Sequence, residues 1–471
     1  SLVGSEMCIR DSNWNMIKQL VQDQNDFFAT HKTYEVAFRK QYLKLLYQEI
    51  SDREDAICDA LYADFRKPRF ESLATETQFA LAELKYAIKH VERWSQPKRV
   101  ASSLTNFPSR EWIQSEPFGK VLIIAPWNYP FMLVISPLIG ALAAGNTAVI
   151  KPSELSPNTS KMIADIIKRV FPPEYVAVVE GGVEVSTELL AEKWDYIFFT
   201  GSTQVGKIVY KSAAEHLTPV TLELSGKNPC VVDETAQIKM AAKRITWGKF
   251  LNAGQTCIAP DYILVHESKK EALVQALKDK ITEFYGEKIE ESPDFARITT
   301  AKHYSGLKAK LEGQNILFGG HWNDDTQYIE PTLVENPDMD SALMAGEIFG
   351  PILPIIPYTT ENVMHDIIAR YGKPLAFYVF SNNKSFQKRM MAQYLFGGGT
   401  INDTVIHISN KKLPFGGVGG SGIGGYHGKF SFELFSHKKS IVKRGTWLDV
   451  PIRYAPYKIP LQWAKRIKHL F

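Results

Sequence analysis

The sequence predicts an α/β protein with a doubly wound parallel sheet, in which helices cover both faces of the sheet. Two observations lead to this fold class. From about residue 120 onward, short apolar runs rich in β-branched residues alternate with stretches of helical periodicity, and strands that alternate with helices form parallel sheets. The chain has 471 residues, which is too long for one compact core and indicates two or three domains.

Composition excludes several classes of function. Hydrophobic residues make up 45% of the chain and charged residues 23%, as in ordinary globular proteins. The 55 basic and 51 acidic residues leave a net charge of +4, so nucleic-acid binding is not expected. No apolar run approaches the roughly 18 residues of a membrane-spanning helix. Four scattered cysteines lack zinc-type spacing, and we expect free thiols, no metal site and a reducing, cytoplasmic setting.

The first residues do not resemble a native terminus. Residues 1–12, SLVGSEMCIRDS, have neither an amphipathic period nor the form of a signal peptide. The codons for Met7 to Asp11 can be read from a sequencing adapter. We therefore interpret residues 1–12 as a non-native scar and expect the native chain to begin at Asn13 or Met16, which removes Cys8 from consideration.

The segment before the alternating series is predicted to be mostly helical. Apolar residues three and four apart predict helices from about residue 14 to residue 95. The segment from about 97 to 118 is polar and contains prolines, so we expect an extended excursion or a long hairpin there.

The strand–helix series then begins. The predicted strands are VLIIAPW, TAVIKPS, VAVVEGG and DYIFFTG, and the predicted helices include FMLVISPLIGALAAG, SPNTSKMIADIIKRV and STQVGKIVYKSAAEHL. Gly145 should end the first of these helices, and Ser156 or Asn158 should begin the second.

Polar residues and glycines follow several of these strands. Asn128 follows the first strand, Lys151 ends the second, and Gly201 and Ser202 come between DYIFFT and the next helix. Ligands of doubly wound sheets bind beyond the carboxyl ends of the strands. A glycine at such a place lets a phosphate approach backbone N–H groups at the start of a helix. These residues are therefore candidates for ligand binding, although a tight turn before a helix explains Gly201 equally well.

Two glycine-rich patterns are weaker signals. GSTQVGK nearly matches the phosphate-binding loop of nucleoside triphosphatases, but Ile208 stands where the magnesium-binding hydroxyl belongs, so we reject that function. FGGVGGSGIGG, residues 415–425, contains a formal GxGxxG pattern without a βαβ unit after it. We expect this segment to be a flexible loop.

Glu223 interrupts the apolar run PVTLELSGKNP. A buried parallel strand is nearly all apolar, so two interpretations are open. The residue either belongs to an edge strand and lies in water, or its carboxylate ends a strand and is aimed into a cleft as a base.

Cys257 lies in NAGQTCIAP, between a predicted helix that contains AAKRITWGKF and a predicted strand, IAPDYILV. A free cysteine is usually a small hydrophobe of the core. A connection between a helix and a strand, however, leaves backbone N–H groups free and often carries catalytic residues. Cys257 is thus either a core residue or a nucleophile.

Six motifs together resemble the aldehyde dehydrogenase superfamily. They occur in the family's order, and the resemblance covers about residues 75 to 445. The motifs are PWNYPF (126–131), KPSE (151–154), FTGSTQVG (199–206), LELSGK (222–227), NAGQTCIAPDY (252–262) and EIFGP (347–351). GQTCIAPDY and GGYHGKFSFELFSHKKS are similar to the class 3 branch, which includes fatty-aldehyde dehydrogenases. Ser225 departs from the family, in which many members have glycine.

The resemblance implies catalytic roles for three residues. Cys257 would be the nucleophile that attacks the aldehyde carbonyl, and Asn128 together with the Cys257 backbone N–H would stabilise the resulting oxyanion. Glu223 would activate the water that hydrolyses the thioester. Glu347 would bind the nicotinamide ribose, or be a solvated carboxylate at a helix end, and in this branch it could also assist as a base.

The resemblance also implies a coenzyme, NAD or NADP. Lys151 and Glu154 would contact the adenosine ribose, and Gly201, Ser202 and Gly206 would flank the pyrophosphate. Phe349 would pack near the nicotinamide ribose. A carboxylate at a ribose favours the free 2′-hydroxyl of NAD, whereas Lys151 tolerates the phosphate of NADP, so the choice stays open.

The implied fold has a Rossmann-type coenzyme domain, an α/β catalytic domain and an oligomerisation arm. The coenzyme domain would occupy residues 13–222, with about 97–118 in the arm, and the catalytic domain 223–400. Residues 401–457 would return to the coenzyme domain and the arm. We expect a homodimer whose substrate is a medium-chain, long-chain or aromatic aldehyde. Tyr129 and Trp247 would line an aromatic entrance or be plain core packing.

Two other functions are considered. A CoA-acylating aldehyde dehydrogenase would pass the thioester to a thiol, but that class generally lacks the base at Glu223. A non-enzymatic binding or structural protein on the same fold would be indicated by loss of Cys257 or Asn128, and both are present.

The last residues, 458–471, read KIPLQWAKRIKHLF. Pro460 suits the first turn of a helix, and apolar residues recur on one side of it. Fourteen residues rising about 1.5 Å each cannot span a bilayer of about 30 Å. We expect an amphipathic helix packed on the dimer near the substrate entrance, with weak peripheral contact to anionic membranes as the alternative.

Overall fold

The computed structural model describes residues 2–449, 451–457 and 460–466. Within these ranges the α-helices are α1 (Leu2–Ala29), α2 (Val36–Asp52), α3 (Glu54–Phe65), α4 (Arg69–Ser72), α5 (Gln78–Trp94), α6 (Met132–Ala144), α7 (Pro157–Val170), α8 (Val183–Ala191), α9 (Thr203–Glu215), α10 (Ile238–Phe250), α11 (Lys270–Tyr285), α12 (Ala301–Leu311), α13 (Glu361–Ala369), α14 (Lys384–Gln393), α15 (Lys429–Leu434) and α16 (Leu461–Arg466).

The strands of the same ranges are β1 (Lys98–Val100), β2 (Ser109–Pro117), β3 (Lys120–Ile124), β4 (Thr147–Lys151), β5 (Val176–Val178), β6 (Tyr196–Thr200), β7 (Val220–Glu223), β8 (Pro229–Val232), β9 (Tyr262–His266), β10 (Ile316–Phe318), β11 (Trp322–Asn323), β12 (Tyr328–Ile329), β13 (Thr332–Glu335), β14 (Ile352–Tyr358), β15 (Ala376–Phe380), β16 (Gly398–Ile401), β17 (Gly422–Ile423) and β18 (Ser436–Arg444).

The predicted doubly wound sheet is confirmed. Its strand order is β17-β7-β6-β3-β4-β5, and the strands from β7 to β5 pair in parallel. Both faces are buried: Val121 and Ile123 of β3 belong to one hydrophobic cluster, whereas Leu122 and Ile124 belong to a second cluster that includes residues of α1, α8 and α9. This two-sided burial explains why these strands are nearly continuous apolar runs.

The helices of this region begin and end where local chemistry predicts. Gly145 follows α6 with φ 99°, a left-handed conformation that glycine adopts without strain, and thereby ends the helix. Ser156 precedes α7, but its side chain does not cap the helix. Instead, the Asp64 carboxylate accepts the first-turn N–H groups of Asn158 and Thr159, each at 2.9 Å.

A second sheet is built from residues between 229 and 401. Its order is β10-β13-β14-β9-β8-β15-β16, and all of its pairs are parallel except the one between β10 and β13. The connection that carries Cys257 precedes β9, at the centre of this sheet. The nucleophile candidate and the strand-end candidates of the first sheet therefore come from two different sheets.

The polar segment after α5 forms the predicted hairpin. β1 and β2 pair antiparallel, and β18 adds to β2 over nine residue pairs, from Ser436 with Pro117 to Arg444 with Ser109. Residues of about 97–118 thus join residues beyond 400 in one three-stranded sheet, as expected for the arm. The role of this sheet in oligomerisation stays a prediction.

The glycine-rich segment 415–425 is not a flexible loop, and that prediction is wrong. β17 pairs antiparallel with β7, with Gly422 opposite Glu223 and Ile423 opposite Leu222. A Cβ on Gly422 would lie 2.6 Å from the Leu222 carbonyl oxygen, and one on Gly417 would lie 2.1 Å from that of Ser421. The glycines therefore allow close backbone approach in a structured sheet edge.

The helical prediction for residues 14–95 is confirmed by α1 to α5. Helix α1 begins at Leu2, and it is fixed to the sheet by Gln24, whose amide donates to the Ala148 carbonyl at 2.9 Å. The interpretation of residues 1–12 as a scar stays a prediction.

The expected C-terminal helix is present in part as α16, directly after Pro460. Leu461 is 71% exposed and Trp463 is 62% exposed, so neither is covered by its own chain. Of the tail predicted at 458–471, residues 458, 459 and 467–471 lie outside the described residues. Among the helices that the structure describes, none combines the length and apolar character needed to cross a membrane.

Candidate active site

The chain around Cys257 is held by backbone and side-chain hydrogen bonds. After α10, Asn252 and Ala253 adopt left-handed φ values of 56° and 52°, and the Glu71 carboxylate accepts the Asn252 backbone N–H at 3.0 Å. The Asn228 side chain donates to the carbonyls of Cys257 at 2.8 Å and Ala259 at 3.0 Å. These contacts fix the backbone on which the thiol is carried.

Gln255, two residues before the cysteine, anchors the same loop. Its amide N–H₂ donates to the Asn252 carbonyl at 3.1 Å and the Arg297 carbonyl at 2.9 Å. Its side-chain oxygen accepts the Thr299 backbone N–H at 3.0 Å. A fully buried glutamine that uses both ends of its amide leaves the loop little freedom.

Asn128 is brought to this loop from the end of β3. Its side chain is buried, and its Nδ2 donates to the Gln255 carbonyl at 3.1 Å. The Asn128 carbonyl accepts from the Asn252 side chain at 2.9 Å. A side-chain amide has two N–H donors. The second N–H of Asn128 can therefore donate to a ligand in the cavity that Asn128 and Cys257 both line.

Glu223 ends β7 and is only 2% exposed. The interpretation that places it in water is therefore wrong, because β17 covers the edge of β7 that was expected to be open. Neither carboxyl oxygen has a hydrogen-bond partner within the described part of the chain. Burial raises the pKa of Glu223 well above its usual 4.5, as expected for a carboxyl group without a compensating donor.

Glu347 and Phe349 come from the loop before β14. The Ser225 hydroxyl donates to Glu347 Oε2, and burial, followed by the charge of Asp261, raises the pKa of Glu347 to about 8. The Phe349 ring meets Trp127 edge-on at 5.4 Å, and its carbonyl is 2.7 Å from His303 Nε2. Glu347 is thus a partly exposed carboxyl in a cavity wall that accepts a hydrogen bond from Ser225, and it lies in a loop and not at a helix end.

Two cavities meet at Cys257. The first, of about 260 Å³, is lined by polar side chains mixed with apolar ones, and we call it the polar cavity because it carries more polar groups than the second. The second, of about 210 Å³, is almost entirely apolar. Both are bordered by Cys257 and Glu223, so the thiol and the buried carboxyl lie where the two spaces join. The polar cavity is lined among others by Asn128, Gly201, Ser202, Ser225, Glu347 and Phe349.

The apolar cavity receives side chains from several elements. Trp247 of α10 lies in its wall and is 40% exposed, which places it at an entrance. Tyr129 also lines this cavity, although it is buried. The other lining residues include Phe79, Met132, Leu133, Ile258, Val405, Phe415 and Tyr426. Aromatic and aliphatic lining suits an apolar ligand.

The surroundings of Cys257 favour the neutral thiol over the thiolate. Burial, followed by the charges of Glu347 and Glu223, raises the pKa of Cys257, whereas the backbone N–H groups of Cys257 and Ile258 lower it. Cys58 and Cys230 are fully buried, and of the three free cysteines described only Cys257 borders either of these cavities. If Cys257 is the nucleophile, a nearby group must therefore accept its proton.

The coenzyme candidates lie along one edge of the first sheet. Gly201 and Ser202 follow β6, and the Ser202 hydroxyl accepts the Val205 N–H at 3.4 Å as the cap of α9. The first turn of α9 contains no acidic residue. A Cβ on Gly206 would lie 2.5 Å from the Leu224 side chain, so this glycine lets α9 pack closely on the sheet.

Lys151 is the last residue of β4, which β3 separates from β6 in the sheet, and its side chain pairs with Glu154. Its Nζ donates to Glu154 Oε2 and to the Pro152 carbonyl, both at 2.8 Å. These groups fit a dinucleotide: a capped helix start without acidic residues suits a pyrophosphate, and the Lys151–Glu154 pair offers a donor and an acceptor to a ribose. No group of three histidine, cysteine or acidic residues that could hold a metal ion occurs in the ranges described.

Sequence reasoning missed a buried charge cluster close to the loop that carries Cys257. Lys67 Nζ lies 2.6 Å from Glu76 Oε1, with both side chains fully buried, and 3.9 Å from the centre of the Tyr129 ring. Glu76 Oε2 accepts the backbone N–H groups of Phe131 and Met132 at the start of α6. Tyr129 in turn bonds Thr256, with 2.7 Å between the two hydroxyl oxygens. Lys67 and Glu76 are charged residues within a segment of apolar helical periodicity, and this was the sequence feature that could have indicated a buried ion pair.

Comparison with known proteins identifies the family. The family model described as "Aldehyde dehydrogenase family" matches residues 7–441. The chain is 50% identical over 453 residues to 4,4'-diaponeurosporen-aldehyde dehydrogenase of Staphylococcus aureus, covering 96% of this chain and 99% of that protein. It is 44% identical to aldehyde dehydrogenase family 3 member A2 of Macaca fascicularis, covering 94% and 92%.

Two further likenesses agree. A dog protein named "Aldehyde dehydrogenase, dimeric NADP-preferring" is 42% identical, with coverage of 96% and 99%. The solved structure of the substrate-bound state of Staphylococcus aureus AldH is 49% identical, covers 96% of this chain and 99% of that one, and superposes with a TM-score of 0.94. The chain is an enzyme that belongs to the aldehyde dehydrogenase family, in its class 3-like branch.

Proposed function

We propose that the protein oxidises apolar aldehydes to carboxylic acids with NAD or NADP, through a thioester on Cys257. The observation that carries this proposal is the junction of two cavities at Cys257, one apolar and one polar, with Glu223 and Asn128 in the walls. A nucleophile reached from two sides can hold an aldehyde on one side and a coenzyme on the other.

The first step is addition of the thiol to the aldehyde carbonyl. The sulfur forms a bond to the carbonyl carbon, the carbonyl π electrons move to oxygen, and the thiol proton leaves. Glu223 lines the same cavity and has no hydrogen-bond partner among the described residues, and in its ionised form it accepts that proton or one from water. The oxyanion takes hydrogen bonds from the Asn128 side chain and the Cys257 backbone N–H, in the manner of an oxyanion hole.

Residues of the polar cavity and of the adjoining strand ends hold the coenzyme. Gly201, Ser202 and Gly206 at the start of α9 bind the pyrophosphate, and Lys151 with Glu154 binds the adenosine ribose. Glu347 binds the nicotinamide ribose, and Phe349 packs against it. A nicotinamide coenzyme held by these residues would supply the hydride acceptor that is needed to oxidise the carbon attached to the Cys257 sulfur to the level of a thioester.

Hydrolysis of the thioester needs a base. Glu223 removes a proton from water, the oxygen of that water attacks the thioester carbon, and the carbon–sulfur bond breaks to release the acid and the thiol. This role argues against a CoA-acylating enzyme, because a buried, unpartnered carboxyl beside the cysteine activates water without a second thiol substrate.

The apolar cavity supports medium-chain, long-chain or aromatic aldehydes as substrates. Its lining is aliphatic and aromatic, and the relative from Staphylococcus aureus is named for a long polyene aldehyde. We also propose a homodimer formed through the arm sheet of β1, β2 and β18, supported by its mostly exposed strands and by the dimeric relative. Three free cysteines among the described residues support a cytoplasmic setting.

A spectrophotometric assay tests the proposal. Protein is mixed with NAD or NADP and a panel from hexanal to hexadecanal plus benzaldehyde, with and without CoA, and reduced coenzyme is followed at its absorbance band. Formation of the reduced coenzyme with apolar aldehydes, independent of CoA, is expected. An absolute requirement for CoA would establish the acylating alternative, and no reaction with any aldehyde would favour a binding protein.

A further inference from the structure

Ser225 and Glu347 form a hydrogen bond that joins the loop after β7 of the first sheet to the loop before β14 of the second sheet. Ser225 follows β7 by two residues, and its hydroxyl donates to Glu347 Oε2. Both residues line the polar cavity with Cys257.

The backbone on either side of Glu347 is fixed by other groups. Lys310 Nζ donates to the Glu347 carbonyl at 2.9 Å, and Asp261 accepts the Ile348 N–H at 2.9 Å. Lys227 Nζ donates to the Gly346 carbonyl at 3.0 Å and to Asp261 at 2.6 Å. The main chain is thus held by three charged side chains, and the carboxyl group itself is held by Ser225.

Glu223 provides a contrast within the same cavity. Its carboxyl has no hydrogen-bond partner among the described residues, whereas that of Glu347 accepts from Ser225. An unpartnered carboxyl is free to turn toward the thioester and water. A tethered carboxyl keeps one orientation, which suits a binding group whose geometry must match two neighbouring hydroxyls of a ribose.

We propose that Ser225 is a positioning residue that holds the Glu347 carboxylate in the orientation and charge state in which it accepts hydrogen bonds from the coenzyme ribose. This inference rests on the proposed coenzyme role of Glu347. A carboxylate offers about four lone-pair sites on its two oxygens, so one bond from Ser225 leaves capacity for both ribose hydroxyls.

The charge state follows from the groups that face Glu347. Burial and the charge of Asp261 raise the pKa of Glu347 to about 8, while the hydrogen bond from Ser225 and the charges of Lys249 and Lys227 lower it. Lys227 is already paired with Asp261, and burial lowers the pKa of Lys249 to about 8, so its charge fades over the same pH range. Lys310 and Cys257 also interact with the Glu347 charge. A hydrogen bond to the ionised form opposes protonation directly, and Ser225 supplies it.

Equilibrium binding of NADH to the full-length protein without aldehyde tests the proposal. Titration calorimetry from pH 6.5 to 9.5 is run on wild type, Ser225→Ala and Ser225→Thr. Wild-type affinity should rise with pH through about 8 as Glu347 ionises. In Ser225→Ala the inflection should move upward by about one pH unit, which makes binding at pH 7.5 roughly three- to tenfold weaker. At pH 9.5 the two affinities should agree to within about 1.5-fold, which also reports that the variant is folded.

Two further variants isolate the interaction. Ser225→Thr keeps a hydroxyl and should retain the wild-type inflection. In a Glu347→Gln background the inflection should disappear, and adding Ser225→Ala should then have no effect, because the group through which Ser225 acts is gone.

The results separate this inference from the proposed function. An unshifted inflection in Ser225→Ala, or a loss of affinity that is the same at every pH, overturns the role of Ser225 while leaving NADH binding and aldehyde oxidation by the wild type intact. Failure of the wild type to bind NADH at all overturns the proposed function itself.

Discussion

Glu223, the last residue of β7, lies directly opposite Gly422 of β17, in the antiparallel pair at the edge of the doubly wound sheet. The short strand β17, about two hundred residues later in the chain, thereby covers the edge of the strand that carries the candidate base. The pairing excludes water from Glu223, which is 2% exposed, and keeps the carboxyl at the junction of the two cavities.

Glu223→Gln should slow thioester hydrolysis more than hydride transfer. Glutamine has the same shape but cannot remove a proton from water, so rapid mixing should show one burst of reduced coenzyme followed by slow turnover. Because burial holds the proton on Glu223, wild-type hydrolysis should accelerate as pH rises and this acceleration should vanish in the variant. Glu83→Gln, a change of a buried carboxyl outside both cavities, is the matched control. An unchanged steady-state rate in Glu223→Gln would move the base role to Glu347 or to solvent.

Cys257→Ala should abolish dehydrogenase turnover, because no other described cysteine borders either cavity. Cys58→Ala and Cys230→Ala should keep most of the activity, since both thiols are buried in the core. Reduced-coenzyme formation with hexanal is the measurement. Substantial aldehyde oxidation by the Cys257→Ala protein would contradict the covalent mechanism.

Asn128→Ala should lower the turnover rate by roughly 10²–10³, the usual loss for one donor of an oxyanion hole. Coenzyme affinity should hardly change, because the Asn128 side chain bonds the cysteine loop through the Gln255 carbonyl. Steady-state kinetics and NADH titration together check both statements. A loss confined to coenzyme binding would mean that Asn128 acts on the coenzyme and not on the oxyanion.

Lys67→Met should destabilise the protein by about 3–5 kcal/mol, because it leaves the Glu76 carboxylate buried without its cation. The pair is fully buried, with 2.6 Å between its atoms. The surface pair Lys288–Glu291, whose side chains are 77% and 71% exposed, gives the control: Lys288→Met should change stability by less than about 1 kcal/mol. Denaturant unfolding followed by tryptophan fluorescence measures both, and equal effects would show that the buried pair is energetically neutral.

Deleting residues 458–471 should alter the Michaelis constants for long-chain aldehydes without changing sedimentation with anionic vesicles. The reason is that Leu461 and Trp463 are exposed on one chain and, in a dimer, are available to pack near the substrate entrance. Hexadecanal and benzaldehyde are compared, since the short substrate should be unaffected. If the full-length protein sediments with vesicles at low salt and the truncated one does not, the tail is a membrane contact.

The position of the strand-end residues could be predicted because it depends only on where each strand of a parallel sheet ends in the sequence. Asn128, Lys151 and Gly201 follow three neighbouring parallel strands, and the carboxyl ends of parallel strands lie at one edge. The roles of Cys257 and Glu347 came only from the resemblance to a family, because their approach to that edge depends on how the second sheet packs against the first.

The features that escaped prediction all rest on distant parts of the chain. The burial of Glu223 depends on β17, whose glycines look like a loop when their partner strand is unknown. The contact between Ser225 and Glu347 joins residues 122 positions apart. Lys67 and Glu76 are near each other in sequence, but the aromatic ring and helix start that they support follow much later in the chain.

Two cavities meet at the Cys257 sulfur. Under the proposed function, substitutions that change the aldehyde specificity therefore need not change the coenzyme specificity. Trp247, Ile406 and Phe415 border only the apolar space, whereas Gly201, Ser202 and Phe349 border only the polar one. Substitutions in the first set can change the size and shape of the aldehyde that fits, while the residues that border the polar cavity stay unchanged. The residues at the junction of the two cavities can in this way stay the same while substitutions in one cavity wall change which aldehydes bind.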